Sequence, residues 1–160
     1  RLQAQIDLAW FQLAHGRPAE ASQTASQALA RVPQRITLSW DHPHRMASEA
    51  LVWAQLPAGD AAALRAAWQG YEDSRQRMAR GTRTSLLHEV DRLLVAQALR
   101  GTGLEAQARE GIRTARASTQ ASHQVQALCG QPAGRETWRT QHQMRWRREA
   151  ARAAGVCAPA

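Results

Sequence analysis

Lysine is missing altogether: every one of the 21 basic residues is an arginine. Arginine codons are rich in G and C and lysine codons in A and T. A coding bias of the kind common in bacteria therefore accounts for this more economically than a demand for guanidinium chemistry. Phe and Tyr are scarce, one of each beside six Trp. Long apolar runs are lacking too. No stretch of about 18 uncharged apolar residues occurs, which excludes a membrane-spanning helix. No signal peptide is visible, and the chain opens on Arg1 rather than Met, already inside a helical pattern, so it reads as a piece of something longer.

What is present suits one domain: 160 residues, a length that buries roughly 68–70% of the unfolded surface when it folds. The net charge of +8 is unevenly placed. Residues 1–60 carry five Arg against five acids, 61–128 ten against six, and 129–160 six against two. The basic character lies in the second half and is densest at the C-terminus. Cys129 and Cys157 flank the last helical pattern. A disulfide between them implies an oxidising compartment, and two unpaired thiols in a reducing cytoplasm fit equally well. A helix of roughly 16 residues between them spans about 24 Å, so a bridge requires the flanks to fold back along it.

The periodicity is helical nearly throughout. Leu2, Ile6, Ala9 and Leu13, with Leu8 and Trp10, have the spacing of an amphipathic helix. Pro18 suits the first turn of the next helix and Glu20 its positive end; that helix runs to about Val32, before Pro33. Residues 33–45 have the one extended look in the chain. A helix over Met46–Leu56 follows, then one capped by Asp60 reaching Ala79, one over Ser85–Arg100, and one from Leu104 past Ala117. A short helix around 121–128 and a final one over Glu136–Ala154 complete the pattern. No run alternates convincingly, so a sandwich or α/β fold contradicts it.

The helical hairpins recur. Their turns are marked by Gly16, Gly59 and Gly103, separated by 43 and 44 residues. Five residues after each stand Ala21, Leu64 and Ala108, and four further on Ala25, Trp68 and Ile112. Leu8–Ala9, Leu51–Val52 and Val95–Ala96 precede the glycines at matching distances. A fixed period with matching turn and packing positions is the signature of stacked helical repeats.

In these features the chain resembles the tetratricopeptide family, which sets a large then a small apolar residue in the first helix, a turn glycine, and alanines in the second helix. The first unit carries Leu8, Ala9, Gly16, Ala21, Ala25 and Ala28 and closes on Pro33; the third carries Val95, Ala96, Leu99, Gly103, Ala108, Ile112 and Ala115. Short side chains at such positions let adjacent helices approach while bulkier neighbours fill the gaps. The period exceeds the family's usual 34. Gln12 and Gln55 stand where an aromatic is usual, and Leu64 and Tyr71 replace small residues in the middle unit. The resemblance covers roughly residues 2–117. It implies an all-α right-handed solenoid of about three hairpins over residues 1–128, closed by a basic capping helix and tail at 129–160.

The resemblance also implies a peptide or helix docked on a concave face lined by first helices. The inward positions are Ile6, Trp10 and Leu13; Glu49, Trp53 and Leu56; and Leu93, Gln97 and Arg100. Of these, Trp10, Leu13, Glu49, Trp53, Gln97 and Arg100 are the candidate contacts, since buried aromatics and arginines dominate recognition energetics. The competing reading places both tryptophans in the core. No cofactor and no enzymatic activity is expected. There is no nucleophile elbow, phosphate-cradling loop or Cys/His grouping of known spacing, and "GTG" at 101–103 follows no strand. Asp41, His42 and His44 share a short segment, but stable zinc sites need three or four ligands, so solvated histidines are the better account.

The C-terminal pattern is the sharpest local feature. Trp138, His142, Trp146, Ala150 and Ala153 form one stripe and Arg145, Arg148 and Arg152 a basic one beside it. An aromatic face edged by guanidinium groups suits nucleic acid or an anionic surface; a capping helix with a wet outer face explains the same residues and is preferred. The expectation is thus a non-enzymatic protein-interaction module. The family's habits make it a scaffold or sensor part of a larger bacterial regulatory protein. Nucleic-acid binding through the arginines is the alternative. The bacterial cytoplasm is the expected setting, or the periplasm if the cysteines pair.

Overall fold

Ile6, Ala9, Trp10 and Leu13 turn inward from the first helix, α1 (Leu2–Ala14), as their spacing predicts. Leu8, the large member of its large–small pair, stays 46% exposed beside Phe11 at 45%. The computed structural model describes residues 1–33, 42–77, 85–119, 121–130 and 138–159, and among them the chain is all-helical with no strand. It divides into two compact units, residues 1–82 and 83–160.

In the first unit α1 ends in a left-handed turn at Gly16 (φ +70°), with Arg17 N–H donating to Gln12 O at 2.9 Å and Gly16 N–H to Leu13 O at 3.1 Å. That pair of bonds satisfies the last carbonyls of the helix, and a positive φ carries no side-chain penalty only at glycine. The second helix, α2 (Pro18–Arg31), starts on its proline and buries Ala21, Ala25 and Ala28 completely. These small residues let α2 lie against both α1 and the third helix, α3 (Pro43–Gln55), which also packs on α1.

Helix α3 begins three residues before the Met46 start that periodicity suggests. His42 adopts an extended backbone and its ring Nδ1 accepts the His44 N–H at 3.2 Å, while Pro43 fills the first helical position. Residues 43–45 are therefore helical, and 34–41 of the expected extended stretch lie outside the described residues. A 3-10 turn over Leu56–Ala58 and Gly59 (φ +75°) lead to Asp60, whose carboxylate accepts from Ala63 N–H at 3.1 Å. This caps α4 (Ala61–Gln76), which packs on α3. Leu64 and Tyr71 are buried there, and Trp68 meets Tyr71 edge to face at 5.7 Å. Bulky residues thus fill a layer that alanines fill in α2.

The second unit holds α5 (Leu86–Leu99), α6 (Thr102–Arg116), α7 (Ala121–Cys129) and α8 (Trp138–Ala153). Its turn is not where the glycine pattern sets it. Gly103 lies in the first turn of α6, and the left-handed residue is Arg100 (φ +52°). Gly101 N–H donates to Ala96 O at 3.1 Å and Arg100 N–H to Gln97 O at 3.2 Å, the same bond pair as at Gly16. An L-side chain in this conformation costs about 1–2 kcal/mol. Arg100→Gly is therefore expected to stabilise the second unit by about 1 kcal/mol, read as a raised urea midpoint with an unchanged slope.

Leu86, Val90, Leu93, Ala108, Ile112, Leu128 and Met144 form the core of this unit together with Ala150, Ala151 and Val156. Helix α8 packs on α5 and α7 within it. The division into compact units falls at 82/83, so α8 belongs to the same unit as α5, α6 and α7. Helix α8 closes on Gly155 (φ +74°), with Val156 N–H donating to Ala151 O at 2.9 Å and Gly155 N–H to Arg152 O at 3.1 Å. Val156 and Ala151 meet in the core, the apolar contact this cap favours. The turn folds the chain back, and Cys157 joins Cys129 in a disulfide with a Cα–Cα distance of 5.5 Å.

Candidate functional site

Four of the six groove positions belong to the interior of the first unit. Trp10 is 0% exposed, Trp53 2%, Leu13 3% and Glu49 6%. Their side chains are buried, on two helices that pack against each other, and do not line a surface open to solvent. Glu49 is held by Arg45 on its own helix at 3.2 Å, both groups buried. Gln97 and Arg100, at the end of α5, are exposed. Ile6, Leu56 and Leu93 are likewise core residues.

The two histidines are committed locally. His42 caps α3, and His44 Nδ1 lies 3.3 Å from the buried Ser74 Oγ on α4. Asp41 lies outside the described residues, among which no grouping of three metal-ligating side chains occurs. Burial first, then the charges of Arg77 and His42, hold His44 below its usual pKa of 6.5. Burial and then Arg145 lower His142 in the same way. In both cases the unfolded chain takes up a proton before the folded one does. Stability is then complete above about pH 6.5, and is lost as the pH falls from there through the lowered folded values. The urea midpoint is expected to drop between pH 7.5 and 5.5, and His44→Gln to flatten the fall in the first unit; a midpoint rising on acidification would contradict both assignments.

The arginines behave differently from the tryptophans. Arg145, Arg148 and Arg152 line one depression of about 440 Å³ along α8, with Glu149 as its acidic member. Arg148 Nε also donates to Ala127 O at 3.2 Å, which fixes that guanidinium over the end of α7. The inward face of α8 is not the Trp138 stripe. Gln143, Met144, Arg147, Ala150 and Ala151 are buried, His142 and Trp146 only partly, and Ala153 is exposed. The side chain of Trp138 lies outside the described set. Arg147 also points inward: its Nε and Nη2 make a two-bond contact with Asp91 of α5 at 2.7 and 2.6 Å. A helical wheel that sets every arginine outside misses this contact, because the carboxylate is 56 residues away.

Comparison of the chain with protein-family models, curated proteins and solved structures returned no match. No helix among the described residues is long and apolar enough to cross a membrane.

Proposed function

We propose that the chain is a non-enzymatic interaction module built of tetratricopeptide-like hairpins stacked as a right-handed solenoid, the scaffold or sensor part of a larger bacterial regulatory protein. The observation that supports this reading is the packing order inside each unit. Helix α2 lies against α1 and α3 while α1 meets α3; in the second unit α6 packs closely on α5, and α7 touches both only lightly. The alanines expected at the close approaches, Ala21, Ala25, Ala108 and Ala115, are buried. With Trp10 and Trp53 in the interior, a docked peptide or helix meets the exposed end of α5, where Gln97 and Arg100 stand. Selection from a displayed library of short peptides tests it. A consensus enriched on the wild type and lost on Gln97→Ala/Arg100→Gly supports the module; no enrichment counts against it. The glycine in that variant keeps the turn geometry while removing the guanidinium.

A second reading, nucleic-acid binding, is favoured by the shared depression at Arg145, Arg148 and Arg152. Three phosphate contacts give a slope of about −2 to −3 in log affinity against log salt. Anisotropy of labelled single- and double-stranded oligonucleotides at low and near-physiological salt, with the triple alanine variant beside the wild type, separates the two readings.

A further inference from the structure

Helix α6 presents Arg109, Arg113 and Arg116 at the i, i+4, i+7 positions of one face. Opposite them runs the turn that follows α8. Together they border an open depression of about 400 Å³, with Ile112, Ala154 and Val156 as its apolar lining. That volume lies within the range of small-ligand sites, which combine an apolar lining with a few convergent polar groups.

Each guanidinium is oriented and each keeps an N–H to offer. Arg109 spends Nε and Nη2 on Glu105 at 3.0 and 2.9 Å, and Arg113 spends the same two atoms on Glu110 at 3.0 and 2.6 Å. Their Nη1 groups make no hydrogen bond to the described residues, and both arginines line the depression. Arg116 is held from the other side: Nη1 donates to Gly155 O at 3.4 Å and Nη2 to Ala158 O at 2.6 Å, leaving Nε. The opposing wall is equally constrained. Gly155 and Val156 are bound into the cap of α8, and the disulfide ties Cys157 to the end of α7. The wall and Arg116 are thus set before any ligand arrives, which removes part of the ordering cost of binding. Arg109 and Arg113 are solvent-exposed and only loosely steered by their glutamates.

We propose that this depression is a binding site for a small carboxylate with a short apolar body. Three guanidinium groups outnumber the two carboxylates that orient them, so the rim favours an anion. Arginine N–H groups match the planar carboxylate, and the bonds formed are charge-assisted. The floor is aliphatic and takes an alkyl chain. The site is separate from the α8 arginines and from the end of α5, and it does not depend on the function proposed above.

Octanoate, octanol and an N-acetylated dileucine with a free carboxylate are the probes, titrated into the full chain and followed by methyl NMR. Octanoate is expected to shift the Ile112, Ala154 and Val156 methyls along one saturating isotherm, with octanol at least tenfold weaker. Arg109→Gln and Arg113→Gln, both at exposed positions, are each expected to weaken octanoate by about fivefold, as the loss of one charge-assisted bond implies. Equal affinity for octanol and octanoate, shifts spread over the whole chain, or no effect of either substitution would overturn the site. Saturation by the dipeptide with none by octanoate would overturn the small-molecule assignment in favour of a polypeptide terminus.

Discussion

Trp53→Ala is expected to lower the stability of the first unit by about 3–5 kcal/mol, the usual cost of removing a buried aromatic from a packed core. Trp53 is 2% exposed and stands on α3, the helix that touches α1, α2 and α4. Its loss opens a cavity in the packed interior of the first unit. Against a typical domain stability of 5–15 kcal/mol, that is about a fifth of the total or more. Urea denaturation followed by helical circular dichroism should show the early loss of a large part of the helical signal. Trp53→Phe, which keeps most of the apolar volume, should fall between the variant and the wild type. The groove reading of the same residue makes the opposite forecast: near-native stability and a lost ligand. One denaturation series separates them.

How far the fold was legible follows from the range over which each signal acts. Asp60, Pro18 and the Ala21/Ala25/Ala28 series act within one or two helical turns, and the helices they mark are present. The start of α3 was missed because a histidine ring took the capping role usually given to Ser, Thr, Asp or Asn. The third turn was misplaced because Arg100 bears the left-handed conformation while two glycines stand beside it, at 101 and 103. For the groove, periodicity marks the face on which Trp10 and Trp53 lie but says nothing of which neighbour covers that face. Leu8 shows the same limit in reverse, apolar by pattern yet 46% exposed. The arginine row of α8 was legible because it is contiguous on one helix. The α6 arginines gave no separate signal, since the turn that completes their depression lies some 40 residues further along the chain.

Asp91→Ala is expected to cost the second unit about 3–5 kcal/mol by stranding a buried charge. Arg147 has a side chain only 10% exposed and Asp91 one of 5%, and their two short parallel bonds are a polar link between α5 and α8. Around them the contact is aliphatic, through Val90, Leu93, Met144 and Ala151. Truncating either partner leaves the other buried without this ion pair. Arg147→Met should therefore hurt nearly as much as Asp91→Ala. Yet a buried pair returns little net energy beyond its own desolvation, so the double replacement Asp91→Leu/Arg147→Met should recover most of the loss. A double-mutant cycle by urea denaturation, with the disulfide intact, measures the coupling directly. A coupling near zero would mean that the apolar contacts alone hold α8 on α5. A large coupling with a recovered double variant would mean that the pair sets the rotation of α8, turning Arg147 inward and so leaving Arg145, Arg148 and Arg152 as the row that faces outward.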